Sequence, residues 1–311
     1  HYINIGTTSG NGIYNIEGNW TNTGIFNPGT STVNFMGNNN QSITSTGGEI
    51  FNNLSINNSG ASPINRIVLL NNVNVSGTFT FTLGNIETGA NKLFLSNQTI
   101  TSLNYTSVTG SRVIGKFERG INTTGNYLFP IGSDSNYNPL NLNLNIAPAA
   151  GSVLSEFFDT DPGSSGLPLP DADVEVFEAY DDGYWSLTST GFSCGDYNIN
   201  LDGSGFLTPI QDITRIIKRP AGGDWLLDGT HSDAIGSVGY RFNLTGDILT
   251  TGNHFGFGRS RPRILEHPAD TAVCDGESAS FSVSVLGRIP LYYQWQENQG
   301  SGWNNISDAG I

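Results

Sequence analysis

Short runs in which apolar and polar side chains alternate recur from early in the chain: Val33 and Phe35, Leu54 and Ile56, Ile67 and Leu69, Val73 and Val75, then Phe79, Phe81 and Leu83, and Leu93 and Leu95. A two-residue period marks a strand with one buried face, because successive side chains leave a pleated backbone on opposite sides. Turn-forming pairs such as Gly37-Asn38, Gly47-Gly48 and Asn57-Asn58 bound these runs, with no helical period between them. Closely spaced short strands can form a sandwich or a solenoid of stacked coils. For residues 1–110 the solenoid is the favoured reading. Aliphatic and phenylalanine side chains would fill a continuous core, and Asn or Gly would take corners that need left-handed backbone.

From about residue 111 the strands lengthen. The stretch Leu140-Asn141-Leu142-Asn143-Leu144-Asn145-Ile146 alternates strictly, and further strands are predicted near 174–179, 184–188, 197–201, 213–218 and 254–258. Residues 111–259 therefore read as one antiparallel β-sandwich. Within it, segment 159–173 is rich in Pro, Ser, Gly and Asp and should be a long surface loop. A charged, proline-containing linker at 259–263 opens a third, unfinished unit, 260–311. The expected fold class is all-β throughout.

Composition sharpens this picture. Charged residues make up 13% of the chain, against about 25% in an ordinary soluble domain. Before Arg112 the only acidic or basic side chains are Glu17, Glu49, Arg66, Glu87 and Lys92, apart from His1. Disorder is disfavoured, since aromatic and aliphatic residues recur regularly throughout. A formal net charge of −14 opposes binding to nucleic acid or anionic membranes. No apolar run approaches the roughly 18 residues of a spanning helix, so no membrane insertion is expected. The N-terminus has neither a leader pattern nor an initiator Met, and the expectation is a mature or excised fragment. Cys194 and Cys274 lack metal-ligand spacing, leaving a buried small residue or a disulfide member as readings for each.

Several motifs carry a family resemblance. Gly18-Asn19-Trp20-Thr21-Asn22 and Phe51-Asn52-Asn53-Leu54-Ser55-Ile56 resemble the degenerate repeats of very long surface proteins of Bacteroidota. Tyr127-Leu128-Phe129-Pro130-Ile131-Gly132, Tyr184-Trp185-Ser186-Leu187 and His254-Phe255-Gly256-Phe257-Gly258 are similar to a sandwich module of the same proteins. Val273-Cys274-Asp275-Gly276-Glu277, Phe281-Ser282-Val283, Tyr293-Gln294-Trp295-Gln296 and Gly302-Trp303 resemble the first strands of a bacterial immunoglobulin-like domain. That fold would turn Phe281, Val283 and Val285 toward a core and pack Trp295 between its sheets. It needs about seven strands, so the missing ones are expected downstream or from another chain. A disulfide partner for Cys274 would then lie there and not at Cys194. The resemblance implies type IX secretion, an extracellular or cell-surface location, and a role as adhesin, gliding-associated filament component or carrier of further domains. Implied partners are other surface-protein domains, the secretion machinery and glycans. Asp270-Thr271-Ala272 also resembles an O-glycosylation signal, which makes Thr271 a candidate modification site.

Chemistry-bearing residues are sparse. The first block lacks paired titratable groups for acid–base work, and no catalytic residue is assigned. Asp159, Asp161, Asp171 and Asp173 offer hard oxygen ligands on a loop, as calcium requires, although a solvated acidic loop is the stronger reading. Calcium is the one cofactor these residues suggest. His231, His254 and His267 form no triad or metal motif. Trp20, Tyr180, Tyr184, Trp185, Trp225 and Trp303 could present flat faces to sugars, with Tyr180 and Trp225 as the named glycan candidates. Against this, Trp185 and Trp225 sit in strand-like sequence suited to a core. The leading expectation is a non-catalytic structural or adhesive segment. A carbohydrate-binding or carbohydrate-active module and a filament subunit joined by strand addition are the alternatives.

Overall fold

The computed structural model describes residues 1–172, 174–287 and 290–307. Its first third is a parallel solenoid whose coils each contribute strands to three faces. One face carries Tyr2–Asn4, Trp20–Asn22, Gln41–Ser45, Arg66–Leu69 and the start of Asn85–Leu95. A second pairs Thr7–Ser9 with Ile25–Asn27 and, separately, Glu49–Phe51 with Val73–Val75 and the end of Asn85–Leu95. The third stacks Ile13–Ile16, Thr32–Phe35, Asn53–Asn57, Phe79–Leu83 and Leu103–Tyr105.

Parallel register turns the alternation of each strand into columns. Val33, Leu54, Phe79 and Leu103 stand one above another, as do Phe35, Ile56, Phe81 and Tyr105. Trp20, Ile43 and Leu69 form a column on the first face. The aliphatic and phenylalanine members of these columns other than Leu103 are buried, each stabilising the fold by about 1.5–3 kcal/mol.

The coil corners correct one expectation. Among the described residues of the solenoid, left-handed backbone falls on glycine alone, at Gly29, Gly47, Gly48, Gly84, Gly89 and Gly110. The asparagines act through their side chains. Asn19 Oδ1 accepts from Ser42 N, Asn40 Oδ1 from Arg66 N, Asn71 Oδ1 from Ser45 N, Asn72 Oδ1 from Lys92 N and Asn85 Oδ1 from Arg112 N, at 2.9–3.1 Å. An amide side chain reproduces the peptide's own acceptor where the ladder is interrupted, so it ties one coil to the next.

The compositional change near residue 110 is no break in the sheet. Strand Val113–Ile121 pairs in parallel with Asn85–Leu95 on one side and antiparallel with Gly151–Phe158 on the other. The same sheet then continues through Tyr184–Thr190 and Asn253–Ser260 to Val174–Ala179, with Arg215–Pro220 also paired to Asn253–Ser260. A second, antiparallel sheet of Gly125–Phe129, Leu140–Leu144, Tyr197–Asp202, Val238–Leu244 and Thr230–Ile235 faces it. Leu142, Ile199, Trp185 and Phe257 lie in the interior, which joins the solenoid core in one cluster running from Ile16 to Phe257. The strand at 140 ends at Leu144, which leaves Ile146 exposed and off the buried face on which the alternation would place it. The described part of the predicted loop, residues 159–172, is more than a surface loop: it carries the short strand Leu169–Asp171 and folds over a small second cluster of Val176, Ala179, Ile217 and Trp225.

Beyond the sandwich, Arg263–Glu266 pairs with Ser284–Leu286, and Gln296–Asn298 pairs with Trp303–Asn305. Phe281, Trp295 and Trp303 are exposed, and Val283 and Val285 are half-buried. Both cysteines are free, Cys194 buried and Cys274 exposed.

Candidate functional site

Among the described residues the predicted calcium ligands do not converge. Asp159 and Asp161 are exposed, and Asp161 Oδ1 is taken up by the Gly163 peptide N–H at 2.7 Å. Asp171 stands elsewhere, between two buried guanidinium groups: Arg241 Nη1 lies 2.9 Å and Arg215 Nε 3.1 Å from its Oδ2. Those cations occupy the carboxylate and repel a further one, so Asp171 is corrected from a metal ligand to the centre of an ion network. Asp173 lies outside the described residues. Among the described residues no group of three or more His, Cys, Asp or Glu side chains is placed to hold a metal.

This network fastens the two sheets at their rim. Arg241 also donates to the carbonyls of Asp228 and Gly229, and Lys218 Nζ reaches Asp228 Oδ2 at 3.0 Å. Burial alone would raise the Asp228 carboxyl, but bonds from Lys218 and Thr245 hold it below its ordinary value. His231 Nε2 sits 2.8 Å from Arg215 Nη1 and 2.7 Å from the Asp212 carbonyl. Burial and the adjacent Arg215 charge push the imidazole pKa down, which favours the neutral ring.

The aromatic candidates for sugar binding are also corrected. Tyr180 is 1% and Trp225 2% exposed. The Tyr180 hydroxyl meets the Pro209 carbonyl at 3.1 Å, and Trp225 Nε1 donates to the Gly163 carbonyl at 2.7 Å with the Arg219 guanidinium over its ring. Trp20 and Trp185 are fully buried, their indole N–H groups satisfied by Glu49 and the Asn138 carbonyl. Rings of this size give most stabilisation in a core once the polar tip finds a partner. Tyr184 is packed against Phe158 and His254, at 5.0 and 4.7 Å between centroids, while Trp303 remains exposed. Thr271 lies in exposed chain outside any strand.

A further cleft lies away from every candidate residue named from sequence. At the solenoid corner between its third and first faces, residues 58–65 and 106–112 form extended loops, whereas the intervening coil turns through Gly84 alone, at φ +92°. Successive rungs of a sheet lie about 4.8 Å apart, so the two loops stand as walls roughly 10 Å apart over a one-residue floor. Asp134 and Ser135 of the sandwich close one end, giving a notch of about 660 Å³.

No family model, curated protein or solved structure matches this chain. The notch must therefore be read from its own groups. Its walls are fixed: Asn58 Nδ2 donates to the Asn39 carbonyl and Gln41 Oε1, and the Tyr105 hydroxyl to the Ser111 carbonyl. Arg112 donates to the carbonyls of Ser133, Gly110 and Asp134, while Arg66 bridges Glu87 at 2.8 Å and Asp134 at 3.1 Å. Burial, and then the nearby Arg66 charge, lower the Arg112 pKa, with Asp134 opposing. Asn65 Oδ1 is buried without a hydrogen-bond partner. These groups are scattered in sequence; the readable signal was the uneven length of the gaps between strands.

Proposed function

We propose that this chain is a non-catalytic structural or adhesive segment of a bacterial extracellular surface protein, holding other domains or a contact surface at a distance. The observation that carries this reading is the shared strand Val113–Ile121, which joins solenoid and sandwich through backbone hydrogen bonds on both edges. A flexible linker there would let the two parts reorient; a strand held from both sides keeps them in one direction. The scarcity of charge in the solenoid and the pairing of Asp171 and Asp228 with basic side chains further support a scaffold.

Small-angle scattering of the purified chain tests the reading. A compact fold of this length has a radius of gyration near 20 Å. The proposal expects a clearly larger value and a scattering profile of an elongated particle. A value near 20 Å, or turnover of a polysaccharide or peptide by the chain, would contradict it.

A further inference from the structure

The notch over Gly84 has the dimensions and chemistry of a binding site. Its volume of about 660 Å³ falls inside the range of roughly 300–1,000 Å³ usual for ligand pockets. Its lining departs from the usual apolar one. Apart from Leu83 it consists of Asn, Ser, Thr, Gly, Arg and Asp side chains. We propose that this notch binds a neutral oligosaccharide, laid across the solenoid edge between the loops 58–65 and 106–112.

Three observations select that ligand class. First, the width suits one extended polymer, because the walls are separated by a single missing loop and open at the outer side. Second, the groups left for a ligand are hydroxyls and amides. The Ser59, Ser62 and Ser135 hydroxyls and the Asn65 Nδ2 amide make no side-chain hydrogen bond among the described residues, so hydroxyl and amide groups line the cleft for a ligand's hydroxyls. Third, the charges are already spent internally. Arg66 is held by Glu87 and Asp134, and the Arg112 N–H groups point at three carbonyls. With a net charge of −14 on the whole chain, a polyanion would be repelled on approach. A peptide is disfavoured as well, since the corner offers no open strand edge and Leu83 is the one aliphatic side chain in the lining.

The walls are hydrogen-bonded in place before any ligand arrives, which limits the ordering cost of binding. With little apolar area to bury, the affinity should be modest, with a dissociation constant on the order of 0.1–1 mM.

The test titrates the full chain with cellohexaose, xylohexaose, mannohexaose and maltohexaose, and with an oligogalacturonate as acidic comparator, by calorimetry and saturation-transfer NMR. Saturable binding of at least one neutral hexasaccharide is expected, insensitive to salt. Ser135→Trp, at an exposed position, should block the mouth, and Asn65→Ala should weaken binding by about tenfold, the effect of one or two hydrogen bonds. Tyr293→Ala, on the exposed C-terminal unit, should leave binding unchanged. Protection of amides 58–65 and 106–112 on adding ligand to the unmodified chain gives a readout that does not depend on any variant folding. Failure of every neutral chain to bind at millimolar concentration would overturn the proposal. So would tighter binding of the oligogalacturonate, or loss of binding in Tyr293→Ala with Ser135→Trp unaffected. This inference and the scaffold reading fail separately, since scattering reports shape and titration reports the notch.

Discussion

The solenoid and the sandwich share a sheet and a core, yet they handle buried polarity in opposite ways. Within the solenoid, neutral amides do the work: asparagines reach from one coil to the backbone of the next, and the interior admits few charges. Glu49, 3% exposed, stands in the column of Val73, Leu93 and Phe117 and accepts from the Trp20 indole, the Asn22 amide and the Ile50 peptide. Arg119 ends the column of Phe51, Val75 and Leu95, its pKa lowered to about 10 by burial, and donates to the carbonyls of Ile100 and Leu128. In the sandwich, by contrast, Arg215, Arg241 and Lys218 are buried with carboxylate partners. The difference follows from topology. Stacked coils give every rung the same neighbours, so uncharged ladders suffice. Two facing sheets meet at a rim where an edge strand must be tied to the opposite layer, and ion pairs supply that directional tie.

Substitutions can break this contrast in graded steps. The largest effect is expected from Trp20→Ala, which empties a column and removes the stacking partner of Tyr2 and a donor to Glu49; about 3–5 kcal/mol should be lost in urea unfolding. Asp171→Asn should cost about 3 kcal/mol, because two buried guanidinium groups lose their shared charge. Replacing Asp171, Arg215 and Arg241 together with apolar residues should recover most of that loss, which would mark the network as a device of specificity more than of net stability.

Smaller changes probe the solenoid side. Asn71→Ala should remove about 1 kcal/mol by stranding the Ser45 peptide N–H, seen as faster amide exchange there. Glu49→Gln tests the one buried solenoid carboxylate through pH. Burial raises the Glu49 pKa above the ordinary 4.5, with bonds from Trp20, Asn22 and Ile50 opposing. The fold therefore binds more protons than the unfolded chain between 4.5 and the raised value, and Glu49 costs stability as pH climbs through that window. The variant should be the more stable protein at neutral pH, and the gap should close as pH falls to 4.5. A gap that widens on acidification would show the sign to be wrong.

Much of the solenoid was legible in sequence because one period governs it: Val33, Phe35, Leu54, Ile56, Phe79 and Phe81 are all inside, as their alternation predicts. Glu49 was readable in hindsight, two residues from buried Phe51 and in phase with it. The shared strand was not. Its left-handed Gly115 carries the chain round a corner, and neither that corner nor a partner switching from parallel to antiparallel leaves a periodic trace. The Asp171 network and the notch escaped for a related reason: Asp171 and Arg241, or Asn65 and Ser135, meet only after the coils have stacked and the sheets have closed.

Equilibrium urea unfolding of the unmodified chain, followed separately through backbone amide NMR signals of the solenoid and of the sandwich, tests the joined architecture most directly. A strand held on both edges predicts coincident transitions with one midpoint and one slope. Two well-separated midpoints, with either half melting while the other stays folded, would contradict it.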